Sequence, residues 1–327
     1  MLSMIDLCAG TGAFSLAFHD KVNIVFVNDI AEASKIIYDF QSASASEADK
    51  PHVHVPLTLK NLHDIEDKDI PHHDILTCGF ACQPFSIAGA QKGFEDERSD
   101  IFWKILSILD YHKPSCVIME NVKNILTHNK GKSFDIIIKE LTKRHYDVMY
   151  NILSTSEITG IPQHRERVYI IATAHALSNA HHDLDLDFDT VEKKPIKEFL
   201  ETQPVADKYY YTPGASSVYP LLHKAVIKKD TVYQYRRVYV RCNKAGECPT
   251  LTANMGTGGH NVPIILDTKG IRKLTPRECF NLQGFPSTYI LPSSLSDASL
   301  YKLAGNAVSY PIVRLIAERL IPYLSHM

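Results

Sequence analysis

Short apolar runs alternate with longer amphipathic stretches over the first 175 residues, the βαβ rhythm of a parallel sheet covered by helices. The runs predict strands at Met4–Leu7, Ile24–Asn28, Ile75–Cys78, Cys116–Glu120, Tyr146–Leu153 and Arg167–Ala172. The stretches between them predict helices at about Ala13–His19, Ala31–Gln41, Ile101–Tyr111 and Ser133–Arg144. Strand, Gly-rich turn, helix, then a strand ending in an acid is the order of an α/β fold with a doubly wound, mostly parallel sheet. From about Asn179 the rhythm breaks. Acids at Asp183, Asp185, Asp187 and Asp189 give way to aromatic, basic and Gly-rich segments, which read as a second, smaller, loop-rich domain. Near Leu274 helical patterning returns: Thr275 reads as an N-cap, Pro276 as the first helical residue and Glu278 as the third. An apolar helix at about Pro311–Tyr323 is expected to dock back on the first domain. The expected division is therefore 1–178, 179–273 and 274–327.

Composition narrows the class of protein. With 327 residues and 45% hydrophobic content, the chain can bury a large core. No apolar run approaches the roughly 20 residues of a membrane helix, and Met1-Leu2-Ser3-Met4 enters a strand with no basic segment before it. No membrane association and a cytoplasmic location are expected. Seven cysteines, spread from Cys8 to Cys279 with no CxxC pair, fit reduced thiols better than disulfides or a zinc site, so no metal is expected. The net charge of -2 does not exclude nucleic acid, because local patches make the electrostatic footprint. Such a patch exists: Lys228, Lys229, Arg236, Arg237, Arg241 and Lys244, with Tyr233, Tyr235 and Tyr239 interleaved. A solvated basic face is the other reading of it.

Candidate chemistry gathers at the ends of the predicted strands. Asp6-Leu7-Cys8-Ala9-Gly10-Thr11-Gly12 closes one strand and opens a helix, and its glycines let a ligand approach the backbone. A Gly-x-Gly turn alone is often only a tight turn. Asp29, seventeen residues past Gly12 at the end of the next strand, is placed to accept from ribose hydroxyls. The third glycine of dinucleotide sites is absent, which favours an adenosine without a pyrophosphate, and the carboxylate of Asp6 would suit a cationic sulfonium. Cys78 continues a strand and reads as a buried small hydrophobe. Cys82 differs: Gly79-Phe80-Ala81-Cys82-Gln83-Pro84-Phe85-Ser86 is a loop in which a thiolate can be exposed and stabilised by backbone N–H groups. Glu120 closes the fourth strand, either as a solvated cap or as the acid that a thiolate needs when it attacks an electron-poor ring. In Gln163-His164-Arg165-Glu166-Arg167, two arginines on one strand face suit a carbonyl oxygen or a phosphate, or surface ion pairs.

In this order the motifs resemble the cytosine-C5 DNA methyltransferase family, most of all its bacterial and phage restriction-modification members. The match runs through DLCAGTG, Asn28-Asp29, GFACQPFS, QKGFEDER (Gln91–Arg98), ENV (Glu120–Val122), QHRER, RECFNLQGFP (Arg277–Pro286) and GNAV (Gly305–Val308). The resemblance implies a Rossmann-like methyltransferase fold using S-adenosylmethionine. Cys82 would attack C6 of a flipped-out cytosine, Glu120 would hold N3 and the exocyclic amine, Arg165 would hold O2, and Arg167 would order that pocket. Cofactor contacts are expected from Asp6, Cys8, Gly10, Gly12, Asp29, Ile30, Asn61, Leu62, Gly79, Asn306 and Val308.

The region 179–273 would be the target-recognition domain. Within it Thr250 and Leu251, in a Thr-Leu and Gly-rich segment, would pack beside the gap left by the base. Ser86, Gln91 and Arg98 would lie in a loop closing over DNA, with Arg236, Arg237 and Arg241 on phosphates. The implied partners are double-stranded DNA and a cognate restriction endonuclease acting on the same site without a stable complex, the chain itself being a monomer. Its place would be the bacterial cytoplasm or nucleoid, or a phage's host cell. Ala81 stands where the family has proline, which bears on the rigidity of the cysteine loop and on the cofactor's contact there. Cys8 and Ile30 for aromatics, Asn61 for Asp and Asp29 for Glu describe a looser adenine pocket. The competing readings are methylation of transfer RNA and a catalytically impaired DNA-binding relative.

Overall fold

The computed structural model describes residues 1–44, 55–80, 101–175, 184–236, 238–243, 246–257 and 262–325. Its strands run β1 (Ser3–Leu7), β2 (Asn23–Asp29), β3 (Thr58–Leu59), β4 (Ile75–Gly79), β5 (Cys116–Val122), β6 (Tyr146–Ser154), β7 (Gln163–His164) and β8 (Glu166–Ala174). Five shorter ones follow: β9 (Tyr233–Tyr235), β10 (Val240–Cys242), β11 (Cys248–Pro249), β12 (Pro263–Leu266) and β13 (Ile271–Lys273). The chain divides into two compact units. One comprises Met1–Leu153, Glu166–Phe188 and Val313–Met327, and the other Ser154–Arg165 and Asp189–Ile312.

The first unit is built on a seven-stranded sheet in the order β3-β2-β1-β4-β5-β8-β6. β1 pairs in parallel with both β2 and β4, β4 pairs in parallel with β5, and β8 runs antiparallel to β5. Alternate residues of a strand share a face, so Val117 and Met119 line up with Val168, Ile170 and Ala172. Phe102, Ile105 and Leu109 of helix Ile101–His112, and Ile137 and Leu141 of helix Lys132–Lys143, cover that face. β1 lies between β2 and β4, so strand order reverses between β1 and β4. Open α/β sheets hold their ligands at the carboxyl ends of the strands flanking such a switch point. From Val313 the C-terminal helix belongs to this unit, with the Arg314 guanidinium donating to the carbonyl of Ala17 at 3.0 Å and to Asp20 Oδ2 at 2.7 Å.

The second unit contains an antiparallel four-stranded sheet, β10-β9-β12-β13, where a loop-rich domain was expected. These strands have only three or four residues, too few for alternation to stand out against interleaved charges. Leu222, Val226, Tyr233, Val262, Ile264 and Ile271 form a small apolar cluster over the sheet. The predicted cap is present: Thr275 accepts from the backbone N–H of Glu278, and the Glu278 carboxylate accepts from that of Thr275, opening helix Pro276–Leu282. The same carboxylate, wholly buried, accepts two bonds of 2.7 Å from the buried guanidinium of Arg272. The helices of 276–306 group with this unit rather than with the first.

Candidate active site

At the carboxyl end of β1 the chain enters left-handed backbone at Cys8 (φ 54°), Gly10 (φ 57°) and Gly12 (φ 72°) before helix Ala13–Phe18 begins. A Cβ on Gly12 would lie 2.7 Å from the Tyr38 ring, whereas one on Gly10 would meet only a carbonyl oxygen at 4.0 Å. Gly12 is thus required by packing, while Gly10 leaves an open approach to the turn. The Asp29 carboxylate ties the turn to the end of β2, accepting from Gly10 N–H at 2.8 Å through one oxygen and from Ala31 N–H at 2.8 Å through the other. Each oxygen keeps a second lone pair for a hydroxyl donor. Beside it Ile30 is 69% exposed, an apolar surface next to a carboxylate. Half-buried Gly79 ends β4. Asn61 caps a short 3-10 turn by accepting from His63 N–H, and Leu62 is buried. An open glycine, ribose-type acceptors and an exposed apolar side chain fit an adenosine.

Asp6 corrects the expectation made for it. Its carboxylate is wholly buried and accepts from Ser15 N–H at 3.1 Å, Ser15 Oγ at 2.7 Å and Thr77 Oγ1 at 2.9 Å, so it braces the turn from beneath instead of facing a cation. Burial raises its pKa to about 6, against the pull of those hydrogen bonds.

Glu120 sits in β5 directly opposite Gly79 of β4 and is 7% exposed. Its Oε1 lies 3.1 Å from Nε of Arg167, whose guanidinium also donates to the carbonyl of Glu166. Asn121, the next residue, donates from Nδ2 to the Phe80 carbonyl at 3.0 Å and accepts from Val122 N–H. It therefore anchors the last residue before the cysteine segment to the strand that carries Glu120. The sequence pointed to Asn121 only as part of the ENV motif and gave it no role; the signal was an amide beside the acid at the end of an apolar run. Cys82, Ser86, Gln91, Arg98 and Arg237 lie outside the described residues, as does Ala81.

Arg165 and Arg167 do not share a strand face. β7 ends at His164 and pairs with β11, β8 begins at Glu166 and pairs with β5, and Arg165 stands at the break. It is 2% exposed and donates to the carbonyls of Leu251 at 3.2 Å, Gly305 at 3.4 Å and Ala307 at 2.6 Å. Leu251 is likewise buried at 1%, its N–H held by Gln163 Oε1, which corrects the expectation that its side chain meets DNA. Thr250 is half-buried and donates to the His164 carbonyl. Asn306 is exposed at the end of helix Asp297–Asn306, and Val308 is buried. In the hairpin β9–β10, Arg236 is half-buried and Arg241 exposed, with Val238 and Tyr239 exposed at the turn.

A carboxylate ion-paired with a guanidinium at the carboxyl end of β5, one strand from the switch point, and a candidate ligand turn at the end of β1, on the switch point itself, fit an α/β group-transfer enzyme of the methyltransferase kind. The profile of the C-5 cytosine-specific DNA methylases matches residues 2–322. The chain is 40% identical over 326 residues to the Type II methyltransferase M.Bsp6I of Bacillus sp. (strain RFL6), covering 98% of each chain. It is 34% identical to the Type II methyltransferase M1.ScrFI of Lactococcus lactis subsp. cremoris, covering 98% of this chain and 78% of that one. The fold matches that of the S. pombe Dnmt2 methyltransferase with a TM-score of 0.73 at 21% identity, over 98% of this chain and 99% of the other. The chain belongs to the C-5 cytosine-specific DNA methylase family. It transfers a methyl group to C5 of cytosine in DNA, and the family and its relatives do not favour the transfer RNA reading. Among the described residues no helix is long and apolar enough to cross a membrane.

Proposed function

We propose that the methyl donor is S-adenosylmethionine, held by the Gly10–Gly12 turn, Asp29, Ile30, the backbone about Asn61, Leu62 and Gly79, and, at the end of helix Asp297–Asn306, Asn306 and Val308. When bound it supplies an electrophilic methyl on a sulfonium. The chain's own residues supply the rest. Cys82 adds to C6 of a flipped-out cytosine, which makes C5 nucleophilic enough to take the methyl group; a base, water serving, then accepts the C5 proton, and β-elimination breaks the Cys82–C6 bond and releases the thiolate. Glu120 hydrogen-bonds N3 and the exocyclic amine. The observation that carries this reading is the Glu120–Arg167 pair at 3.1 Å, beside a strand end pinned by Asn121. It also exchanges two roles: Arg167, paired with the reacting acid, is the better candidate for O2, and Arg165, turned to backbone carbonyls, the better candidate for ordering. Region 179–273 recognises the target, with Arg236, Arg237 and Arg241 on phosphates and Thr250, Ser86, Gln91 and Arg98 near the base. The enzyme acts as a cytoplasmic monomer within a restriction-modification pair.

Cys82→Ser tests the reading, because a serine hydroxyl is barely ionised near neutral pH. Wild-type protein should form a covalent complex with a duplex carrying 5-fluorocytosine at its target. The variant should form none while still binding duplex and cofactor. Turnover at the wild-type rate in Cys82→Ser would sink the assignment.

A further inference from the structure

We propose that Arg165 is a positioning residue that joins the Thr250–Met255 loop to the Gly305–Val308 segment, so that duplex binding at the first and cofactor binding at the second strengthen each other. The inference rests on the roles proposed above for Thr250, Asn306 and Val308. A helix leaves its last carbonyls without N–H partners and carries partial negative charge at that end. Helix Asp297–Asn306 ends with Ala307 as its C-cap, in extended backbone (φ -57°, ψ 143°). The Arg165 guanidinium donates to the carbonyls of Gly305 and Ala307, on either side of exposed Asn306, and to that of Leu251 in the facing loop. One planar cation therefore sets both the direction of Asn306 and the position of the loop.

The two segments also touch backbone to backbone. A Cβ on Gly305 would lie 2.2 Å from the carbonyl carbon of Thr252 and 2.4 Å from the amide nitrogen of Ala253, and one on Gly256 would lie 2.7 Å from the Tyr301 ring. Neither neighbour at Gly305 can yield without moving the loop. Two buried amides complete the joint. Gln163 accepts from Leu251 N–H at 3.2 Å and donates to Leu282 O at 2.7 Å, while Gln283 donates to Ala304 O at 2.6 Å. A displacement of the loop by DNA is thus transmitted to Asn306, and one at Asn306 to the loop. Binding linkage makes the coupling equal in both directions.

The test measures S-adenosylhomocysteine affinity of the full chain with and without a target duplex, in wild type and in Arg165→Lys. Lysine keeps the charge but concentrates its donors on one nitrogen, without the planar fork by which Arg165 reaches the three carbonyls from two nitrogens. Wild type should gain on the order of 5-fold or more in affinity when the duplex is present, the lower end of ordinary coupling. The variant should fall below about 2-fold, with each ligand still binding alone. An arginine that merely supported the fold would weaken both affinities and leave their ratio intact. A retained ratio in the variant, or none in wild type, overturns the inference. Failure of wild type to bind either ligand overturns the functional reading instead. Hydrogen exchange on the wild-type chain needs no variant: S-adenosylhomocysteine alone should slow exchange across residues 250–256, and unchanged exchange there would also overturn the proposal.

Discussion

Each of the two units is held together internally by a different chemistry. In the first, the faces of β5 and β8 and the helices over them are filled with Ile, Leu, Val, Met and Phe. Its two buried acids among the described residues, Asp6 and Glu120, both lie toward the carboxyl ends of strands, at the proposed site. In the second, the apolar cluster is small, and buried polar side chains tie the segments: Gln163, Arg165, Arg272, Glu278 and Gln283 are each at most 2% exposed. An apolar contact is non-directional, so a hydrocarbon core tolerates substitutions that keep volume. A buried ion pair is directional and leaves an unpaired charge when half of it is lost. The first unit should accordingly resist conservative changes that the second cannot absorb.

Glu278→Gln should show the largest effect. The substitution keeps volume but removes the charge that faces Arg272, and it weakens the reciprocal cap at Thr275. Breaking a buried pair costs roughly 3–5 kcal/mol. Asp267 Oδ2, 2.6 Å from Arg272 Nε, retains part of the compensation, so about 3 kcal/mol is expected from urea unfolding. A loss below about 1 kcal/mol would mean that the pair does not organise this unit.

Asp6→Asn sharpens the contrast from the other side. Burial lifts the Asp6 pKa from 3.8 to about 6, so the folded state holds its proton more tightly than the unfolded chain does. Its contribution to stability therefore falls as pH rises through that window and is level above it. The difference in unfolding free energy between wild type and Asp6→Asn should shift by up to roughly 3 kcal/mol from pH 4 to pH 7, in favour of the variant. A difference independent of pH would show that the carboxylate is hydrated.

The same contrast explains what the sequence could disclose. β1, β2, β4, β5, β6 and β8 were legible because hydrocarbon burial writes itself into local alternation. Thr275, Pro276 and Glu278 were legible because a cap is satisfied within four residues. Arg165 was not. Whether the strand continues through it depends on β7 pairing with β11 while β8 pairs with β5, and strand partners distant in sequence leave no local trace. The same holds for Leu251, whose apolar side chain in a polar segment gave no sign of being buried, and for Asp6, whose donors come from Ser15 and Thr77.

The smallest expected effect is the control that gives the first its meaning. Ile118 in β5 is wholly buried, and Ile118→Val removes one methyl group without altering strand propensity or polarity. Such truncations cost about 0.5–1.5 kcal/mol, less than the isosteric loss of charge at Glu278 although they delete more atoms. Because Ile118 and Glu120 are two residues apart on one strand, their side chains share a face, and a backbone shift at Ile118 would be felt by the Glu120–Arg167 pair. The hydrocarbon core should relax around one missing methyl without moving the strand. Turnover of Ile118→Val should therefore stay within about twofold of wild type while its unfolding midpoint falls. A tenfold loss of turnover with little change in stability would show that this sheet holds its acid as strictly as the second unit holds its ion pair, and the proposed difference between the units would then be one of composition alone.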